Sequence, residues 1–333
     1  MNLRRTAALA GTALLLPLAL TACGSGDDTA ADGDRLQVLA SFYPLQFVAQ
    51  SVAGELADVD NLTPPAADPH DLELSPARAR EISSADVVIT LGGFQPAVDD
   101  AVAAREPAHL VDAADVVTLL PATVTGGEEE HDHADDDAHD DGYTHDGDAH
   151  DDHDHDLGGL DPHFWLDPTR LAQLAQPVAD ALSAADPDNA ATFAANAAAL
   201  VERLDDLDQE LAAGLAPFAG ATLITSHTAF GYLADRYGLA QVGVTGLDHD
   251  IEPSPARMRE IGDLARRYGV TTLFSETLVS PRVIATLASD LGLRTAVLDT
   301  VEGLGQDDAD AGEDYVSIMQ RNLTALTEGL TAP

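Results

Sequence analysis

From Leu36 onward, short runs of apolar and β-branched residues alternate with stretches whose apolar positions recur every three or four residues. The first kind reads as buried strands, the second as amphipathic helices. "LQVLASF" predicts a strand, and "YPLQFVAQSVAG" a helix stopped at Gly54. "ADVDNLTP" is a second strand; the helix "SPARAREISSA" follows, with Ser75 as its cap and Pro76 at the first helical position. "DVVITLGG" reads as a buried strand ended by two glycines, "QPAVDDAVAA" as a helix, and "AHLVDAADVVTLL" as one or two further strands. Far downstream the alternation resumes with "ATLITS", "AFGYLADRYG", "AQVGVTG", "SPARMREIGDLARRYG", "VTTLFSE", "SPRVIATLASDLG" and "RTAVLDT". Strand–helix order occurring twice predicts two similar α/β lobes, each a parallel sheet flanked by helices. Between them, "PTRLAQLAQPVADALSAAD" and "PDNAATFAANAAALVERLDDLDQELAAGL" read as Ala/Leu-rich helices punctuated by Asp186-Pro187, a helical bridge. The expected boundaries are 36–165 for the first lobe, 166–215 for the bridge and 216–333 for the second lobe, whose last helix covers roughly 313–330.

Two segments stand outside this alternation. Residues 1–22 place Arg4 and Arg5 before an apolar run that is short for a bilayer span, which reads as an export signal. Cys23 follows directly and is the only cysteine, so no intramolecular disulfide is possible. "LTAC" resembles the bacterial lipobox, in which the Cys carries a lipid, and residues 23–35 read as a polar tether. The mature chain is thus expected on the outer face of a membrane, held by its lipid. The second segment, residues 122–159, sets His131, His133, His139, His145, His150, His153 and His155 among many Asp. Such a run cannot bury apolar surface and is expected to be disordered without metal, offering weak and exchangeable auxiliary metal sites.

Charge narrows the chemistry. The chain has 58 acidic and 16 basic residues, for a net charge of −42, and every basic residue is Arg. Without lysine there is no GxxxxGK[ST] phosphate loop and no lysine Schiff base. Nucleic acid would be repelled, and no basic patch offsets this. Such acidity fits a cationic partner or a need for solubility, and composition does not choose between them.

Outside the His/Asp run, the position of each histidine relative to a strand is informative. His70 lies in the loop after "ADVDNLTP", His163 in "DPHFWLDP" at the entry to the bridge, and His227 directly after "ATLITS"; Asp299 ends "RTAVLD". Ligands of parallel α/β sheets bind beyond the carboxyl ends of strands. Three imidazoles and one carboxylate would suit a tetrahedral Zn2+ site. The four positions are dozens of residues apart, so no local metal motif supports them. His109 and His249 share the residue type in weaker contexts, one beginning a strand and the other in the polar "GLDHDIEPSP". Glu276 also ends a strand and reads as a residue supporting a ligand or capping "TLVSPR" rather than binding metal. Trp165 and Tyr232 read as cleft-lining or core aromatics. Ser226-His227 hints at a hydrolase dyad, but no GxSxG elbow accompanies it.

"ADPHDLELSP", "DPHFWLDP", "SHTAFGYLADRYGL", "FSETLVSPR" and "VLDTVEGL" together resemble the metal-specific substrate-binding lipoproteins of ABC importers, in their zinc-uptake branch. The resemblance runs from about Leu36 to the end, interrupted by the His/Asp insert. It implies two α/β lobes joined by a long rigid helix, a metal between them, and the ligand set His70, His163, His227 and Asp299. It further implies that Zn2+ is the transported ligand, that an ABC permease and its ATPase subunit are the partners, and that the receptor is a monomer without enzymatic activity. Manganese branches place Glu where His227 stands, so His227 favours zinc. A manganese receptor of the same family, a zinc-dependent hydrolase with Glu276 as base, and a surface adhesin are the competing expectations.

Overall fold

Two four-stranded parallel sheets carry the chain. The first contains β1 (Leu36–Ala40), β2 (Ala57–Asn61), β3 (Val87–Thr90) and β4 (Leu110–Asp112) in the order β2-β1-β3-β4. A two-stranded antiparallel hairpin follows, β5 (Leu120–Pro121) against β6 (Leu160–Asp161). The second sheet contains β7 (Thr222–Thr225), β8 (Ala240–Gly243), β9 (Thr272–Ser275) and β10 (Arg294–Val297) in the order β10-β9-β7-β8. In this computed structural model the described residues are 35–65, 67–122, 157–247 and 252–333. The export segment, Cys23, the seven histidines of the insert and His249 lie outside them.

Each sheet follows one path: the second strand joins one side of the first, and the third strand joins the other. The strand order therefore switches between β1 and β3, and again between β7 and β9, where such sheets open a crevice. The two lobes match in detail. Leu62 and Thr63 donate their N–H groups to the carbonyls of Ala40 and Ser41, as Val244 and Thr245 donate to Thr225 and Ser226. Both second strands lead to a helix opening on Ser-Pro-Ala-Arg, Pro76–Ile82 in one lobe and Pro255–Arg267 in the other. Ser75 and Ser254 accept the N–H of Arg78 and Arg257, satisfying a donor that the helix start would otherwise orphan. Each of these arginines then clasps the end of its second strand, Arg78 on the Asn61 carbonyl at 2.6 Å and Arg257 on the Gly243 carbonyl at 2.7 Å.

The bridge is several helices rather than one. Helices Pro168–Leu171 and Ala175–Ala185 are separated by a tighter turn at Ala172–Leu174. Pro177 has no N–H for the carbonyl four residues back and its ring crowds that group, which accounts for the interruption. Helix Ala190–Leu215 then runs 26 residues, about 39 Å at 1.5 Å per residue. Its buried Phe193, Ala197, Leu200, Leu204, Leu207, Leu211 and Leu215 recur at three- and four-residue steps and form one apolar stripe. Polar clasps hold it to both lobes: Asn196 donates to the Val52 carbonyl at 3.0 Å, and Arg203 pairs with Asp314 at 2.6 Å. One continuous apolar cluster extends from Val38 through this helix to Leu298 and Leu326. Separating the lobes would expose that shared core to water, which opposes wide hinging.

Two local expectations change. In "AHLVDAADVVTLL" the middle residues form a helical turn, Ala113–Val116, capped by the Asp112 side chain on the Ala114 N–H. A short helix, Gln306–Ala311, also precedes the final helix Tyr315–Gly329.

Candidate metal centre

His70, His163, His227 and Glu302 present one ligand atom each, all within 4.8 Å of one another. Three of them are buried, and His70 is partly open to solvent. The ring centroids of His163 lie 5.5 Å from His70 and 5.4 Å from His227. Local structure holds each donor in place.

His70 and His163 each complete an Asp-Pro-His sequence. In both, the Asp side chain accepts the histidine N–H at 2.9 Å, Asp68 for His70 and Asp161 for His163. The loop of His70 is tied down by Gln95, whose Nε2 donates to the Pro69 carbonyl and to Thr63 Oγ1, both at 3.1 Å. The His70 ring meets Phe94 edge to face, with centroids 4.7 Å apart. Asp161 also faces Nδ1 of His163 at 2.7 Å, which leaves Nε2 pointing into the site. His227 lies two residues after β7, and Glu276, following β9 across the switch point, takes its backbone N–H at 3.0 Å and faces its Nδ1. Glu276 thus supports a histidine, and among the described residues it caps no helix. Two buried carboxylates therefore fix which nitrogen of His163 and His227 is offered.

The fourth donor departs from expectation. Asp299 does not join the three histidines. Its Oδ1 accepts the Val301 N–H at 2.8 Å, its backbone is clamped by Asn322 (2.8 and 2.7 Å), and its Oδ2 lies 3.5 Å from Arg321. The turn it closes puts Val301 at φ 58°, a left-handed conformation that costs a β-branched residue free energy. That reversal delivers Glu302 instead, with Oε1 3.2 Å from His163 Nε2 and 3.5 Å from His70 Nε2. Thr300 steadies the other oxygen, donating to Oε2 at 3.0 Å. Asp299 is instead taken up in the turn, through its bond to the Val301 N–H and its contact with Arg321. Nothing in "VLDTVEGL" announces a positive φ at a valine; the one available signal was a second carboxylate three residues on. His109 stays outside the group, contributing its carbonyl to the Val88 N–H.

The electrostatics suit a cation. Burial lowers the proton affinity of His163, but the carboxylates of Asp161 and Glu302 outweigh it and lift the imidazole to about 10. Burial raises the carboxyl of Glu302, and the imidazoles of His163 and His70 overcome this, holding it well below the usual range. Nε2 of His163 and Oε1 of Glu302 are buried and face each other at 3.2 Å, with no further hydrogen-bond partner among the described residues. Three imidazole nitrogens and one carboxylate oxygen at this separation match a four-coordinate Zn2+ donor set. A cavity of about 410 Å³ is lined by Asp68 and Asp71 from the first lobe and by Ser226, Thr245 and Glu252 from the second.

Residues 38–329 match the family described as zinc-uptake complex component A, periplasmic. The chain belongs to this family. It is 34% identical over 323 residues to the zinc-binding lipoprotein AdcA of Streptococcus pneumoniae, a match that covers 95% of this chain and 59% of AdcA. The chain therefore spans little more than half of that relative. It is also 34% identical to the high-affinity zinc uptake system protein ZnuA of Bacillus subtilis, with 94% of both chains covered. The crystal structure of the Zn(II)-bound ZnuA-like domain of Streptococcus pneumoniae AdcA superimposes with a TM-score of 0.70 at 31% identity, covering 89% of this chain and 98% of that one.

Proposed function

We propose that this member of the zinc-uptake component A family is an extracytoplasmic receptor that binds one Zn2+ through His70, His163, His227 and Glu302. It passes the ion to the membrane permease of an ABC importer, whose ATPase subunit supplies the energy. The observation that carries this reading is the convergence of four donors within 4.8 Å, between two lobes that share a core. Its relatives' names support the choice of ion: AdcA is a zinc-binding lipoprotein and ZnuA a high-affinity zinc uptake protein. Three imidazoles favour Zn2+ over Mn2+, which takes more oxygen. Four protein ligands also leave no vacant place for the water that a zinc hydrolase needs. The chain's "LTAC" and its lipoprotein relative support a lipid anchor at Cys23.

The test is a competition titration, against a chelator of known affinity, of a soluble chain from Gly24 onward, which keeps every described residue. One tight Zn2+ per chain is expected, with Mn2+ much weaker. Tight Mn2+ binding with weak Zn2+ would move the assignment to manganese, and the absence of any tight ion would end the receptor reading.

A further inference from the structure

Tyr232 lies five residues after His227 and is almost fully buried, at 1% exposure. Its hydroxyl accepts the Leu120 N–H at 2.7 Å and donates to the Asp161 carbonyl at 2.7 Å. Leu120 and Asp161 are partners across the β5–β6 hairpin, so the phenol closes that hairpin from the opposite lobe. Asp161 in turn holds the backbone and Nδ1 of His163. A continuous path results: His227, the short segment into helix Gly231–Tyr237, Tyr232, Asp161, His163. A two-residue hairpin is marginal by itself, and it carries the residue that aims His163.

We propose that the Tyr232 hydroxyl is a positioning group that fixes the spacing of His163 and His227 before the ion arrives. The proposal rests on the zinc reading above. The ring alone fills the core as phenylalanine would; only the oxygen reaches both hairpin strands. A hydroxyl in this place lets a tyrosine from the second lobe bond the residue that braces His163. Through it, two imidazoles from separate lobes are set by one short bracket rather than by the whole interlobe packing.

The test compares Tyr232→Phe with Tyr237→Phe, which removes another phenol on the same helix, one that bonds Asp208 at 3.1 Å away from the ligands. Zn2+ affinity is read by chelator competition, and site geometry by the visible absorption bands of the Co2+-substituted protein. Tyr232→Phe is expected to bind Zn2+ about 10- to 100-fold more weakly, the range for groups that orient metal ligands, with shifted Co2+ bands. Tyr237→Phe should match the unmodified chain in both. Unchanged affinity and spectrum in Tyr232→Phe would overturn the proposal, as would equal weakening in both variants in step with their melting temperatures. Failure of the unmodified chain to bind Zn2+ would instead strike the zinc reading itself. Should Tyr232→Phe not fold, amide exchange at Leu120 in the metal-free protein decides. Slow exchange is expected; fast exchange that slows only with Zn2+ would refute the bracket.

Discussion

The two lobes repeat one scaffold yet contribute differently to the site. In both, the second residue after the first strand sits at the point where the strand order switches. In the second lobe that residue is His227, braced by Glu276. In the first lobe it is Phe42, fully buried and packed against Phe94 and Trp165 with centroids 5.1 and 4.8 Å away. The first lobe supplies His70 from farther out, in the loop after β2, and lays it on the same aromatic group through Phe94, while His163 comes from the lobe's far end, just after β6. One switch point has become a polar anchor and the other a dry wall. Topology provides the position; residue chemistry decides whether it binds or supports.

That contrast is broken most severely by removing an anchor. His227→Ala or His163→Ala should weaken Zn2+ binding by more than about 100-fold, beyond the loss usual for supporting groups. Phe42→Leu, at the position equivalent to His227, should cost about 1 kcal/mol of stability and leave Zn2+ affinity within a few-fold. Chelator competition and urea unfolding on the same samples separate the two effects. Equal loss of affinity from Phe42→Leu would mean the wall, too, sets the ligands.

The carboxylate pair near the end of β10 sharpens the comparison next. Glu302→Gln is expected to lose most of the tight binding, since a neutral amide neither balances the ion's charge nor attracts it. Asp299→Asn keeps an oxygen for the Val301 N–H and should bind nearly as the unmodified chain does. Asp299→Ala opens the turn and should lower the melting temperature together with a moderate loss of affinity. If Asp299→Asn lost more affinity than Glu302→Gln, Asp299 would be the ligand after all.

Most of the scaffold was readable in the sequence because periodicity reports burial directly. Strands Val87–Thr90 and Thr272–Ser275 are buried on both faces, as parallel strands between helices must be, and Ser-Pro marks two helix starts. The three histidines were readable because each follows a strand or opens the bridge. What could not be read is where a loop reverses. Asp299 and Glu302 differ by three residues, and the choice between them turns on the left-handed backbone at Val301, which no glycine advertises. Support from Tyr232 and Gln95 was equally hidden, since each contacts a loop that is distant along the chain.

Protonation gives a smaller effect with a definite sign. The imidazole of His163 reaches about 10 in the metal-free fold, above its ordinary 6.5. Its stabilising contribution is therefore complete below about 6.5 and is lost as pH rises toward 10. Metal-free protein should lose stability across that window. Zn2+ must displace the His163 proton, so binding near neutral pH should release protons and strengthen as pH rises. Calorimetry in buffers of different ionisation heat measures the release; none would contradict the pairing of His163 with Glu302.

The smallest change is expected from the largest deletion. Removing residues 128–156 takes away all seven histidines of the insert but none of the four donors and none of their braces. β5 and β6 still pair across the gap, and Tyr232 still bonds both strands. Tight Zn2+ binding by the shortened chain should therefore stay within about twofold, because ordering a polar loop costs about 1–2 kcal/mol per fixed residue and favours only weak sites there. The full-length chain should hold additional weakly bound ions that the shortened one lacks, visible as extra shallow steps in the titration. Loss of the tight step on deletion would place the principal site in the insert, and the two switch points would then differ for a reason other than zinc.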